Sequence, residues 1–226
     1  MSSVPVWYPW FDLKNWAVNV LKKVIVAYCK MIQKHPGKEM VIRFEMPDKD
    51  FGLAVPMWRL DVNSGWNVGK VSPGPNYTVP DNKTFIPIGA LWKSTKVITC
   101  VRIVNPSTGE ILRSWNLDIL AASGDRVPMI VDYDPLVFNP NDRFRIDIYS
   151  TTASSDEDTE YKFIVIEPEA QTVSRLHEPM PFLRKLFAAA YDELVRTRKI
   201  EKILREEKID LQIINKALKK LEEYLI

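Results

Sequence analysis

Phe144-Arg145-Ile146-Asp147-Ile148-Tyr149 alternates apolar and polar side chains without a break. Successive side chains of a strand point to opposite faces, so this stretch predicts a strand with one face buried and the other wet. Just upstream, Asn139-Pro140-Asn141-Asp142 supplies the residues of a tight turn. The same grammar extends in both directions. Candidate strands run from Met40 to Met46, Leu53 to Val62, Trp66 to Val71, Asn76 to Val79, Thr84 to Leu91, Lys96 to Val104, Glu110 to Leu120, Arg126 to Asp132, Phe144 to Ser150 and Tyr161 to Glu167. Turn residues separate most of them, among them Pro47-Asp48-Lys49-Asp50, Ser72-Pro73-Gly74-Pro75, Asn105-Pro106-Ser107-Thr108-Gly109 and Ser123-Gly124-Asp125. Ser154 to Glu160, rich in acids, reads as a solvated loop before the last strand. Short strands with regular turns predict a mainly β fold, an antiparallel two-sheet sandwich or jelly roll, over residues 39–168.

Helical patterns flank this module. Residues 1–38 form an aromatic and basic arm with an amphipathic helix, in which Leu13, Trp16, Ala17, Val20, Leu21, Val24, Ala27, Tyr28, Met31 and Ile32 recur at helical spacing. Asp12 is the expected N-cap, and His35-Pro36-Gly37 ends the helix. Lys14, Lys22, Lys23, Lys30 and Lys34 lie off the stripe. Trp7, Tyr8, Trp10 and Phe11 cluster just before it.

Residues 169–226 form a C-terminal helical segment, with Leu183, Leu186, Phe187, Ala190, Tyr191 and Leu194 on one stripe. Asp210 is placed to cap a final helix where Leu211, Ile214, Leu218, Leu221 and Leu225 step by three and four, as coiled-coil positions do. These five are candidate oligomer contacts. A helical hairpin that covers the sandwich or its own small core is the alternative use.

Charge is unevenly spread over the 226 residues. The first 38 carry +5, residues 39–168 carry −5 and the remainder +2. A basic arm on an acidic body acts as an electrostatic handle for something anionic, or folds back on that body. Trp7, Trp10, Phe11 and Trp16 together with Lys22, Lys23 and Lys30 are therefore the candidate contacts with a membrane surface, a genome or a partner subunit. The first residues lack a basic stretch followed by an apolar run, and no long uncharged apolar run occurs. Neither a signal peptide nor a membrane span is expected.

Chemistry-bearing motifs are sparse. His35 and His177 each sit near a proline without a companion at metal-ligand spacing, and no phosphate loop, Cys-x-x-Cys pair or nucleophile elbow occurs. Cys29 and Cys100 read as small buried thiols. Asp132-Tyr133-Asp134 and Asp156-Glu157-Asp158 match no calcium loop. No cofactor and no metal are expected. A carbohydrate hydrolase working from dispersed carboxylates is the remaining enzymatic alternative.

Tyr77-Thr-Val-Pro-Asp-Asn-Lys-Thr-Phe-Ile-Pro-Ile88, followed by Pro135-Leu-Val-Phe-Asn-Pro-Asn-Asp-Arg-Phe-Arg-Ile-Asp-Ile-Tyr149, resembles the pattern of jelly-roll structural proteins of viruses and phages. The likeness covers about residues 76–168 and consists of turns plus alternation, a grammar that tumour-necrosis-factor-like sandwiches share. It implies a capsid or virion surface protein that assembles with itself and with other structural proteins, placed in the virion or otherwise in the cytoplasm, and it implies no catalytic residue. A non-enzymatic, trimeric module that binds a carbohydrate or receptor is the alternative function.

Overall fold

The structure is a computed structural model that describes residues 13–45, 58–69, 77–93, 97–116, 127–131, 134–168, 181–197 and 199–225. Ten strands are described, each overlapping one of the expected ones. They are β1 (Met40–Glu45), β2 (Trp58–Val62), β3 (Gly65–Asn67), β4 (Tyr77–Thr78), β5 (Thr84–Lys93), β6 (Ile98–Val104), β7 (Ile111–Asn116), β8 (Val127–Val131), β9 (Arg143–Ser150) and β10 (Ser154–Pro168). Four described helices accompany them: α1 (Leu13–Lys34), α2 (Pro181–Arg196), α3 (Lys199–Glu206) and α4 (Leu211–Leu225). The fold is thus mixed helix and sheet, with the strands inside 39–168 and the described helices on either side of that range in the chain.

All strand pairs are antiparallel and fall into two sheets. One has the order β1-β10-β5-β8, with β2 also on β10; the other has the order β3-β9-β6-β7, with β4 also on β9. β1 pairs with Phe163 to Pro168 of β10 and β2 with Ser154 to Thr159, so the two lie end to end along one edge of that long strand. Ser154 to Glu160, expected as a loop, is therefore the first half of β10. Its backbone pairs with β2 on one side and, from Asp158 on, with β5 on the other. Ladder hydrogen bonds on two edges outweigh the poor strand preference of acidic residues.

The turn residues act as their chemistry predicts. Asn141 takes a positive φ of 71°, a conformation that asparagine tolerates. Asp142 accepts the Asn139 N–H through its carboxylate at 2.7 Å and returns its own N–H to Asn139 O at 3.0 Å, closing the four-residue turn. That turn docks on the Val79 segment, where Val79 N–H donates to Asp142 O and Asn141 N–H to Val79 O, both at 2.9 Å.

Between the sheets lies an aromatic core. Phe85, Phe163 and Val165 from the first sheet meet Phe144, Ile146, Ile148, Val101 and Ile103 from the second. Phe138 stacks on Phe144 at 4.5 Å, and Tyr77 stacks on Phe85 at 5.8 Å.

The first sheet is buried on its opposite face as well, by helices. Met40, Ile42, Ile86, Ile164 and Ile166 join Trp16, Val20, Val24, Phe187, Leu194, Leu204, Ile214 and Leu221 in one cluster. α1 lies within it, buried nearly all round: Val18, Ile25 and Cys29, which fall off the predicted stripe, are covered too. An apolar surface wider than one stripe needs cover on more than one side, and α2 with α4 supplies what the sheet does not. Tyr28 fastens α1 to β1 by donating its hydroxyl hydrogen to Met40 O at 3.1 Å. The described helices and the outer face of the first sheet hence share one core.

Helix boundaries follow local chemistry. Gly37 takes a positive φ of 81° after α1. Asp210 caps α4, its carboxylate accepting the Gln212 N–H at 2.7 Å. The expected helix from Phe182 to Lys199 ends at Arg196, and α3 carries Ile200 and Leu204 inward before Lys208 turns the chain at a φ of 56°.

Candidate functional site

Alternation in β9 sends Ile146 and Ile148 inward, which leaves Arg145, Asp147 and Tyr149 on the outer face of the second sheet. Register then brings Arg102 of β6 opposite Asp147, and Trp66 of β3 opposite Tyr149. Five residues from three strands so meet on one face.

Asp147 is the anchor. Its carboxylate accepts from Arg102 Nε at 3.0 Å, from Arg145 Nε at 2.8 Å and Nη2 at 3.0 Å, and from the Gly69 N–H at 3.0 Å. Although it belongs to the outer face, these groups cover it completely, leaving it 0% exposed. Burial alone would raise its pKa; the hydrogen bonds from Arg145, Gly69 and Arg102 prevail and hold the carboxyl below its usual range. Two guanidinium groups share one carboxylate, so the cluster keeps one positive charge.

Above it sits Trp66. The guanidinium carbon of Arg102 lies 3.7 Å from the centre of the indole ring, a cation–π contact. Tyr149 meets the same ring edge-on at 5.3 Å. Trp66 nevertheless remains 40% exposed, and Val68 beside it is exposed as well. Cys100 and Ser114, next to Arg102 on this face, lie 3.5 Å apart through Sγ and Oγ. The arrangement offers an aromatic platform and fixed cationic donors, a set suited to holding a ligand.

Trp66 belongs to this sheet. Trp58 and Trp92 are on β2 and β5 of the other sheet, both opposite Thr159.

The residues expected to meet a membrane or partner are placed differently. Trp16 is 1% exposed and packs on Phe187, which makes it a core residue and corrects its assignment to a contact surface. Lys22 is half-buried. Lys23 pairs with Asp134 at 3.3 Å and Lys30 with Glu207 at 2.7 Å, while Lys14 pairs with Glu193 at 2.6 Å. Over residues 13–34 the basic arm thus folds back on the chain's own acids. Trp7, Trp10 and Phe11 lie outside the described residues.

Among the proposed oligomer contacts, Ile214 and Leu221 are buried in the chain's own core, which corrects their assignment, and Leu218 is half-buried against that core. Leu211 is 58% exposed. The Leu225 side chain lies outside the described residues, as does His177. Cys29 is buried, whereas Cys100 is only partly covered.

Sequence reasoning missed the Trp66, Arg102, Arg145 and Asp147 cluster. Arg145-x-Asp147 was a visible signal, since residues two apart share a strand face. Arg102 joins them only through register. Among the described residues no helix is long and apolar enough to cross a membrane, and no group of three or more His, Cys, Asp or Glu gathers as metal ligands. No family model matches the chain, and no curated protein matches it either.

Proposed function

We propose that the chain is a virion structural protein whose two sheets form a jelly roll and which assembles with copies of itself. Strand order is the observation that carries this reading. With β1 and β2 taken as the first position and β3 and β4 as the second, the pairs β1–β10, β3–β9, β5–β8 and β6–β7 nest inside one another as in a long hairpin. Rolling that hairpin adds β10–β5 and β9–β6 and yields two sheets, the arrangement of jelly rolls in capsid and lectin domains. The docking of the Asn139–Asp142 turn on Val79 joins the two stretches that carry the viral resemblance.

The test is the mass of the purified chain at several concentrations. Closed particles or capsomers of fixed size are expected, and a monomer throughout would overturn the reading.

A second reading, a non-enzymatic module that binds carbohydrate, is favoured by Trp66, an indole left open on a sheet face. Binding on a glycan array by the monomeric or trimeric chain would support it, and an array without binding would remove it.

A further inference from the structure

We propose that the outer face of β3, β9 and β6 binds an acidic sugar, a pyranose carrying a carboxylate, with its ring on Trp66 and its carboxylate on Arg102 and Arg145. The inference rests on the second reading above, that the chain binds carbohydrate, and names the site and the ligand class.

The charge balance of the cluster points to an anion. Asp147 neutralises one arginine, and the second retains its charge with both side chains four-fifths buried, at 20% and 19% exposure. Among the described residues, Arg102 donates only through Nε, which leaves its two Nη nitrogens without a protein acceptor. Arg145 likewise keeps Nη1. Guanidinium donors held this far out of water lose hydration, and a carboxylate that takes two of them in a fork restores the bonds.

Preorganisation strengthens the case. Asp147 fixes both arginines before any ligand arrives, so little side-chain freedom is left to lose on binding. Trp66 supplies the other half of the site. The C–H face of a pyranose is apolar, and the part of the Trp66 ring left exposed, away from the Arg102 guanidinium and the Tyr149 edge, offers it an apolar surface beside the guanidinium.

A polyanion fits less well. Residues 39–168 carry a net charge of −5, which repels an extended phosphate backbone, and among the described residues Trp66 is the one exposed aromatic on this face. A single carboxylate meets the local charge without crossing the acidic surface.

The experiment is ligand-observed saturation-transfer NMR with calorimetry on the full chain, using N-acetylneuraminic acid, glucuronic acid, glucose, acetate and a dT oligonucleotide as probes. Binding of at least one acidic sugar is expected, with glucose and acetate weaker by about tenfold or more. Trp66→Ala, Arg102→Leu and Arg102→Lys should each weaken the acidic sugar by a similar factor, with the far-ultraviolet circular dichroism of each variant unchanged to show that the fold is kept. The two acidic probes tell a sialic from a uronic source. Binding retained in Trp66→Ala would overturn the site while leaving the carbohydrate reading intact, as would glucose binding as well as the acids. No binding to any probe sugar overturns the inference, and an empty glycan array then removes the reading too. Oligonucleotide binding lost in Trp66→Ala, with no sugar bound, overturns the ligand class.

Discussion

Trp16 of α1 and Phe187 of α2 meet ring to ring, with 5.7 Å between centroids and 43° between planes. Residues far apart in the chain are thereby welded into one core. Phe187→Ala should cost about 3–5 kcal/mol, since it leaves a large void among Trp16, Leu194 and their neighbours. In urea unfolding, Trp16→Ala should show a comparable loss, and the double variant should fall short of the sum. Additive losses would mean that the rings do not depend on each other.

The fragment 39–168 should not remain a soluble, folded monomer. Without α1 and α2, the face formed by Met40, Ile42, Ile86, Ile164 and Ile166 is stripped of cover, a patch prone to association. Size-exclusion chromatography of the fragment checks this, and a folded monomer would show that the helices are dispensable after all.

On α4, burial separates neighbours sharply. Ile214→Asp puts an unpaired charge into the core and should cost several kcal/mol, whereas Leu211→Asp, at an exposed position, should stay within about 0.5 kcal/mol. If Leu211→Asp instead abolishes an oligomer while the monomer melts unchanged, Leu211 is an intersubunit contact.

Alkali should weaken the fold through α1 and α2. Burial pushes the Cys29 thiol from 9.0 up to about 12. Burial, with Glu222 and Asp192 nearby, pushes the Tyr191 phenol from 10.0 up to about 12. Both groups keep their protons longer in the folded chain than in the unfolded one. Their stabilisation is complete below the ordinary values and is lost as pH climbs towards the raised ones. Melting temperatures measured across that range should decline, and less so in Cys29→Ala and Tyr191→Phe. An identical decline in both variants would assign the alkaline loss to other groups.

At the acid end the sign reverses. Asp147 titrates below its usual range in the folded chain, so its contribution is full above that range and disappears as pH falls through it. Asp147→Asn leaves two partly buried arginines without their counter-charge and should cost about 3–5 kcal/mol at neutral pH, while flattening the acid limb of the stability curve. Unchanged unfolding in that variant would show that water already satisfies both arginines.

Strand positions were legible because each depends on local residues. Alternation in Phe144 to Tyr149, proline and asparagine at the turns and the Gly37 stop after α1 all act within a few positions. Layering was not legible in the same way. Phe163-Ile164-Val165-Ile166 runs without alternation because β10 is covered on both faces, and that run was the clue that helices lie over the sheet. Lysines beside the α1 stripe suggested an outward face, yet their long stems reach Glu193, Asp134 and Glu207 on other elements. No spacing rule announces partners that far along the chain. Arg102 joined Asp147 through strand register for the same reason.

Chain order gives the covering of α1 a cost during synthesis. All ten described strands are made after α1 and before α2 begins, so on the ribosome the broad apolar surface of α1 waits through the entire sheet for its cover. Trp16, Ile25 and Met31 are then open to any passing hydrophobic surface, including that of a neighbouring nascent chain. Slowing translation within β10 would prolong that interval, and a chaperone that masks α1 would be needed longest there.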